Sequence, residues 1–220
     1  VLSRGLGTIK SNGLSGDSLT GKAYREDATP QGLAFANGGI SKLISGKSAA
    51  AVSVWVKFDA APASRQNIIM AHVSGAYVGY ELYANKGTLR ASSRSKNGGT
   101  MQSAACNIDW KADAWYHIIA SFDYENKAIT LYVNGEKAAE NTNAAFETNV
   151  FTTGTVTAYD SIGLNHKATG DTDMNRLNGS VDDFRLYNRT LTADEVSALY
   201  QKQYGEALES GLLADIDFEQ

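Results

Sequence analysis

The chain has 220 residues, of which 20% are charged, and its formal net charge is -4 at pH 7. A chain with this composition lacks the excess of basic residues that attracts nucleic acids and anionic membranes, which argues against a nucleic-acid partner. No apolar run approaches the roughly 20 residues that a membrane-spanning helix needs, which argues against membrane insertion. Cys106 is the only cysteine, so an intrachain disulfide is impossible, and no cysteine or histidine spacing matches a zinc site.

Turn-forming residues punctuate the whole chain. There are 21 glycines but only 2 prolines, and short runs rich in Val, Ile, Tyr and Phe lie between clusters of Gly, Asn, Asp and Ser. This pattern is typical of all-β proteins with many turns. Asn-Gly pairs, which favour tight hairpin turns, begin at residues 12, 37, 97, 134 and 178. The clearest predicted hairpin has Asn134-Gly135 at its turn.

The first strong strand signal is VSVWVKF, residues 52–58. Val and Phe occupy its even positions, whereas Ser53, Trp55 and Lys57 occupy the odd ones. Because successive side chains of a strand point to opposite faces, this alternation predicts a strand with one buried face. Together with the later strands, it predicts a two-sheet sandwich formed by a single domain, residues 1–220. The further strands are predicted at 66–73, 79–84, 88–93, 116–124, 160–165 and 180–188.

One helix is predicted after the last of these strands. Thr192 precedes it as the N-cap and Glu195 follows three residues later, which is the pattern of a capping box. Val196, Leu199 and Tyr200 recur at helical spacing. We therefore expect a short helix that lays one apolar stripe on the sandwich.

GLLADIDFEQ, residues 211–220, alternates acidic and apolar side chains. On a strand, Asp215, Asp217 and Glu219 would share one face, and Ile216 and Phe218 would share the other. Two acids on one face are what a retaining glycosidase needs. The segment therefore raises the question of a catalytic site.

Four stretches of the chain together carry a recognisable pattern. They are VSVWVKF, DAWYHIIASFDYENKAITLYVNGEKAA, SIGLN and RLNGSVDDFRLYNRTLTADEVSALY. This pattern resembles the laminin-G-like, concanavalin A-like jelly-roll family, which is common in secreted bacterial proteins. The resemblance covers roughly residues 33–200. It implies an all-β, two-sheet antiparallel jelly-roll sandwich with one short C-terminal helix.

The opening strand that is usual in this family is missing before residue 33, and a good copy of it stands at 211–220 instead. Two explanations stay open. The segment either begins the next module of a longer chain or folds back as the strand that completes this sandwich, because the termini of sandwich folds often lie close together.

The retaining glucanases of the concanavalin-like class carry a Glu-x-Asp-x-Glu strand, in which the first Glu is the nucleophile and the last is the acid/base. In this chain the first position is Asp215, one methylene shorter, and the last is Glu219. In such enzymes the two carboxyl groups must lie about 5 to 5.5 Å apart. The shorter side chain of Asp215 therefore moves its carboxyl group out of this range. We therefore predict that the protein is not an enzyme. A glycosidase that uses Asp215 and Glu219 is the weaker alternative.

The resemblance also implies a structural calcium ion, which many members of the family hold near an acid of the first strand and an Asp-Asp pair. The pair is Asp182 and Asp183 in this sequence, and Glu219 is the candidate for the displaced acid of the first strand. Calcium takes about six to eight oxygen ligands, which carboxylates and loop carbonyls could supply. The alternative is that both aspartates are surface residues or form hydrogen bonds in a turn.

A sugar-binding surface is predicted on the strand GYELYA and the strand that follows it. The alternation within GYELYA predicts that Tyr80 and Leu82 face the core, which leaves Glu81 and Tyr83 on the opposite face. Aromatic rings flanked by hydrogen-bonding groups are the usual means of holding a sugar. The alternative is that the rings fill the space between the sheets. Arg90 on the paired strand, and Trp55 and His117, are predicted to join Glu81 and Tyr83 on the same outer face.

A second candidate site lies in the polar loop NHKATGDTDMNRLNGS. Loops at the edge of a sandwich often bind ligands, although these side chains could equally be solvated. The candidate ligand-binding residues of this loop are His166, Asp171, Asp173 and Arg176.

These observations predict a non-catalytic carbohydrate-binding module, with a glycan or polysaccharide as partner. The amino end, VLSRGLGTIK, lacks an initiator methionine and the apolar core of a signal peptide. We therefore expect a piece of a larger secreted or cell-surface protein, covalently linked to neighbouring domains. A structural or protein-interaction module of an extracellular protein is the alternative, because one fold supports many functions.

Overall fold

The structure is a computed structural model that describes residues 39–73, 78–94, 100–142, 158–163, 175–203 and 205–217, together with five short strands between residues 2 and 35. The helices in the described part are α1 (Gly39–Ile44), α2 (Ala193–Tyr200) and α3 (Glu206–Glu209). The strands are β1 (Leu2–Arg4), β2 (Ile9–Lys10), β3 (Leu14–Ser15), β4 (Ala23–Arg25), β5 (Leu33–Phe35), β6 (Ala49–Phe58), β7 (Arg65–Val73), β8 (Val78–Asn85), β9 (Thr88–Arg94), β10 (Gln102–Asn107), β11 (Trp115–Asp123), β12 (Ala128–Val133), β13 (Glu136–Asn141), β14 (Ala158–Ile162), β15 (Gly179–Tyr187) and β16 (Leu212–Asp217).

The described strands form two antiparallel sheets. In the nine-stranded sheet the main path is β1-β16-β15-β6-β11-β12-β13, with β4 beside β15 and β3 beside β4. In the seven-stranded sheet the order is β10-β9-β8-β7-β14-β5-β2. All of these pairings are antiparallel. The predicted two-sheet jelly-roll sandwich with a short C-terminal helix is confirmed.

Side chains from both sheets meet in one apolar core. Phe58 and Phe184 of the nine-stranded sheet and Leu89 of the seven-stranded sheet are fully buried in it. Tyr80 and Phe122 join the two sheets directly, since their rings pack edge to face with centroids 4.7 Å apart. The core therefore holds the two sheets in a fixed relation, which makes each outer face a rigid surface.

Strand β6 is buried on both faces. Its even-numbered side chains from Ala50 to Phe58 belong to the core between the sheets, as the alternation predicts. Its odd-numbered side chains are buried as well, so the predicted single buried face is wrong for this strand. The reason is tertiary: β6 lies between β15 and β11 in the middle of the sheet, and α2 packs across the outside.

Helix α2 covers the outer face of the nine-stranded sheet. Its capping box is confirmed, because the Glu195 amide donates to Thr192 Oγ1 at 3.3 Å and the Thr192 amide donates to Glu195 Oε2 at 2.8 Å. Val196 and Leu199 pack into a second apolar cluster with Ile119 and other residues of the sheet. The predicted apolar stripe is therefore present. No helix in the described part of the chain is long and apolar enough to cross a membrane.

The predicted hairpin at Asn134-Gly135 is confirmed. Both residues have positive φ angles, 51° and 83°, as a tight two-residue turn with the right-handed strand twist requires. The turn joins β12 to β13, and the Asn134 side chain accepts a hydrogen bond from the His117 amide at 2.9 Å. This contact fixes the turn against β11.

Strand β16 lies within the nine-stranded sheet, between β1 and β15. Its register places Ile216 opposite Phe184, and both side chains are buried in the core. The inward position predicted for Ile216 is therefore confirmed, whereas Phe218 lies outside the described residues. Of the two explanations for the terminal segment, the structure has the one in which it pairs within this sandwich.

Candidate functional site

The outer face of the seven-stranded sheet carries a row of polar side chains. On β8, Tyr80 and Leu82 are buried in the core, so Glu81 and Tyr83 point outward, as predicted. Arg90 lies directly opposite Tyr83 on β9, which is also the predicted neighbour. We call one group of outward polar side chains on strands β7 to β10 the polar face. Its members are Arg65, Asn67, Glu81, Tyr83, Arg90, Ser92 and Ser103.

Arg65 organises one half of the polar face. Its guanidinium carbon lies 3.9 Å from the centre of the Tyr83 ring, which is close contact for a cation over an aromatic face. Its Nε donates to Asn67 Oδ1 at 2.8 Å, and its Nη2 lies 3.4 Å from Glu81 Oε1. The Asn67 side chain is 1% exposed, so one anchor of Arg65 is fully buried. These contacts hold Arg65, Glu81 and Tyr83 in one geometry.

Arg90 occupies the other half of the polar face. It is half-buried, and its Nη1 donates to Ser103 Oγ on β10 at 2.8 Å. The register of the strands places Ser92 and Ser103 side by side in the row next to Arg90. A guanidinium group and two hydroxyl groups therefore lie at neighbouring positions on the sheet.

Trp55 and His117 lie on the other sheet. They face each other across β6 and β11, which belong to the nine-stranded sheet, so the prediction that they share an outer face with Tyr83 is wrong. Both rings lie under the end of α2, where Tyr200 stacks on Trp55 with centroids 5.7 Å apart. Trp55 is 7% exposed and His117 is 2% exposed. In this position they pack the helix onto the sheet, and little of their surface is open to a ligand.

His117 is held as a neutral side chain. Its Nε2 forms a hydrogen bond of 2.9 Å with Ser53 Oγ on the neighbouring strand. Burial lowers the pKa of His117 to about 4, because the protonated ring loses its hydration. The charge of Asp183 opposes this shift in pKa, and that of Lys202 adds to it. The ring is therefore uncharged at neutral pH, and it packs against Trp55 and Tyr200.

The predicted calcium ligands Asp182 and Asp183 lie at a bulge of β15, where Asp183 has a φ of 49°. Asp182 Oδ1 accepts a hydrogen bond from the Asp183 amide at 2.8 Å, and Asp183 Oδ1 pairs with Arg185 Nε at 3.2 Å. Within the described residues no group of three or more His, Cys, Asp or Glu side chains could hold a metal ion. These two carboxylates alone do not fit calcium, which requires more oxygen ligands. Glu219 lies outside the described residues, so the calcium site stays a prediction.

Asp215 is the one acid of the terminal strand whose side chain lies among the described residues. Asp215 faces away from the core, and the sheet register places Arg4 and Arg185 opposite it. The arginine at position 185 on the neighbouring strand suits a carboxylate with a structural role in the sheet. Glu219, the other acid of the suggested glycosidase pair, lies outside the described residues.

Most of the candidate ligand-binding residues of the polar loop lie outside the residues that the structure describes. His166, Asp171 and Asp173 lie outside the described residues. Arg176 is described and half-buried, next to Asn175, whose carbonyl accepts a hydrogen bond from the Asn67 amide at 2.7 Å. Arg176 is therefore connected to the edge of β7 through its neighbour, and the ligand role of this loop stays a prediction.

Arg65, Asn67, Ser92 and Ser103 are the polar-face residues that the sequence analysis missed. Asn67 starts the apolar run NIIMA, and a bulge between Asn67 and Ile69 brings both Ile68 and Ile69 into the core. The bulge breaks the simple alternation, so the pattern could not assign Asn67 to a face. The consecutive isoleucines Ile68 and Ile69 were the signal in the sequence that could have indicated this bulge, because regular alternation would place one of them outward.

Solved structures share this fold at low sequence identity. The carbohydrate-binding module (CBM40) of Ruminococcus gnavus IT-sialidase, bound to α2,3-sialyllactose, has a TM-score of 0.62 and 17% identity, over 81% of this chain and 97% of that chain. A heptameric SAP-like pentraxin from Limulus polyphemus has a TM-score of 0.54 and 17% identity, over 70% of each chain. The receptor-binding domain of botulinum neurotoxin D has a TM-score of 0.63 and 13% identity, over 92% of this chain and 48% of that chain.

Sequence comparison gives the family. No curated protein sequence matches the chain. A family model described as the concanavalin A-like lectin/glucanases superfamily matches residues 31–197. This match spans well over half of the chain, and the two antiparallel sheets agree with it. The protein therefore belongs to the concanavalin A-like lectin/glucanases superfamily.

Proposed function

We propose that this chain is a carbohydrate-binding module that binds glycans through the polar face and does not cleave them. In this proposal the module is extracellular and is covalently linked to further domains of its parent protein. The superfamily and the fold shared with the carbohydrate-binding module of a sialidase support a lectin-like role.

The observation that carries the proposal is the clustering of Arg65, Glu81, Tyr83 and Arg90 on adjacent strands of one sheet. Sugar hydroxyl groups both donate and accept hydrogen bonds. Glu81 offers acceptor oxygens, and the two guanidinium groups offer donors. The strands that carry these side chains are fixed by the core, so the site loses little conformational entropy when a ligand binds.

A module of this kind acts by tethering. A linked binding site raises the effective concentration of its neighbours at the glycan, so a modest affinity is sufficient. The module then needs no nucleophile or general acid, and the residues of the polar face need only bind and orient the sugar.

A glycan array followed by titration of the bound glycans tests the proposal. We expect Tyr83→Ala to weaken glycan binding about tenfold or more, because it removes both a ring and the surface on which Arg65 rests. Tyr200→Ala is the matched control, since Tyr200 is an aromatic residue, 39% exposed, on the outside of the other sheet. Circular dichroism spectra of both variants should match that of the parent chain.

Three results would contradict the proposal in different ways. Unchanged affinity in Tyr83→Ala together with loss of binding in Tyr200→Ala would move the site to the nine-stranded sheet. Binding to a protein partner with no glycan bound on the array would favour a protein-interaction module. Release of reducing sugar from a bound glycan, abolished by Glu219→Gln, would show a glycosidase.

A further inference from the structure

We propose that Arg90 binds the anionic group of an acidic sugar, so that the polar face selects negatively charged glycans over neutral ones. The inference rests on the proposed function and names the class of ligand for the same site. It is carried by the different surroundings of Arg65 and Arg90.

The charge of Arg65 is already paired with the carboxylate of Glu81. Its guanidinium group lies against Glu81, with Nη2 3.4 Å from Oε1, and covers the Tyr83 ring at 3.9 Å. One face of the ring is therefore occupied, which limits the stacking of a neutral sugar on it. Arg65 and Glu81 together contribute no net charge to the polar face.

Among the described residues, the side chain of Arg90 contacts a neutral group. Its Nη1 donates to the Ser103 hydroxyl at 2.8 Å, and no carboxylate lies within ion-pair distance of Arg90 among the residues that the structure describes. Arg65, Glu81 and Arg90 together carry an excess of one positive charge, and Arg94 stands at a further outward position of β9, whereas the whole chain has a net charge of -4.

The geometry of a guanidinium group suits a planar anion. Arg90 has five N–H donors, of which Ser103 uses one, so a pair of parallel donors stays available for a carboxylate or a sulfate ester. Because the side chain is half-buried, water screens this interaction less than it would at a fully exposed arginine. Ser103 lies beside it, is half-buried, and can donate hydrogen bonds to the neighbouring hydroxyl groups of the sugar or accept them, whereas Ser92 is 2% exposed and lies out of reach of a ligand.

The test is a titration of the parent chain with four probes: 3′-sialyllactose, an oligogalacturonide, 3′-sulfolactose and neutral lactose. The first two carry a carboxylate and the third a sulfate ester, so the comparison identifies which anion Arg90 prefers. We expect at least one acidic probe to bind at least tenfold more tightly than lactose, and this preference should decrease as the salt concentration rises.

Variants of Arg90 assign the preference to this residue. Arg90→Gln should abolish the preference for the acidic probe, and Arg90→Lys should keep part of it, because lysine retains the charge but lacks the paired donors. Lys137→Gln, which removes one exposed positive charge from β13 of the other sheet, is the control and should leave the preference unchanged.

The outcomes separate this inference from the proposed function. Equal affinity for lactose and the acidic probes, array hits that are all neutral, or an acidic preference that persists in Arg90→Gln would overturn the role of Arg90 while leaving a glycan-binding module. Binding to none of the probes and to no glycan of the array would overturn the proposed function as well.

Discussion

Trp55 and Tyr83 are both aromatic residues at outward positions of their strands, but their neighbours give them different roles. Tyr200 and His117 enclose the Trp55 ring beneath the end of α2. The Tyr83 ring lies among Arg65, Glu81 and Arg90 on a sheet face that carries polar side chains. At the scale of single residues, the side chains across the strand and above it determine which ring packs beneath the helix and which lies on the polar face.

His117 makes stability depend on pH. Its pKa is lowered to about 4 in the folded protein, so between pH 6.5 and pH 4 the unfolded chain binds more protons than the folded one. Stability is therefore complete above about pH 6.5 and decreases as the pH falls towards 4. From the two pKa values we expect the free energy of unfolding to be about 2 kcal/mol lower at pH 5 than at pH 7 because of this residue.

Urea unfolding at pH 5 and pH 7 measures this effect, with His117→Asn as the comparison. The other groups that face the ring, Asp183, Lys202, Ser53 and Tyr200, stay in place in this variant. The variant should lose less stability on acidification than the parent chain. An equal loss in both proteins would mean that carboxylates elsewhere cause the pH dependence.

At the scale of the elements, the pairing of β15 with β6 depends on Gly179. The Asn178-Gly179 pair predicts a hairpin turn, but Gly179 instead begins β15 and pairs with Phe58 of β6. A Cβ atom at Gly179 would lie 1.9 Å from the Lys57 carbonyl oxygen and 2.9 Å from the Phe58 Cα atom. Both are backbone atoms of the central strand, so a side chain cannot be accommodated without moving β15 away from β6.

We expect Gly179→Ala to lower the free energy of unfolding by about 3 kcal/mol or more, since relief of the clash breaks part of the strand pairing. Gly205→Ala is the matched control, because an added Cβ at Gly205 meets no atom within 4 Å. Thermal melting of both variants tests the expectation. Equal melting temperatures would show that β15 can shift at no cost.

Most strands could be predicted from their apolar residues and flanking turns, but the bulges within β7 and β15 could not. The strand predicted at 88–93 corresponds to β9, and that at 180–188 to β15. Strand β10, QSAACN, consists of small or polar residues, none of which is β-branched. Its conformation is decided by its pairing with β9. For the polar face, Glu81, Tyr83 and Arg90 followed from alternation and pairing, whereas Arg65 required the bulge in β7.

At the scale of the whole molecule, β16 connects the far end of the chain to the core. It lies between β1 and β15, and Ala214 and Ile216 are 0% and 1% exposed. A chain that ends at residue 210 would leave the edge of β15 unpaired and uncover this part of the core. We expect it to melt at a lower temperature and less cooperatively than the parent chain.

A chain that ends at residue 217 keeps the whole strand and serves as the control for this truncation. The difference in melting temperature between the two truncated chains isolates the contribution of β16 from that of the last three residues. If the chain that ends at 210 also melted like the parent, the segment would be dispensable here and would be better explained as the start of a following module.

The sequence by itself determined the fold class, the faces of the regular strands and the cap of α2, because alternation, turn residues and capping are local and leave a pattern in neighbouring positions. Tertiary structure decided which strands share a sheet, and hence that Trp55 and His117 lie far from the polar face and under α2. It also decided that Arg65 covers Tyr83 while Arg90 keeps its charge unpaired by any described carboxylate. Such contacts join residues from separate strands, so they depend on sheet order and register, which local periodicity does not contain.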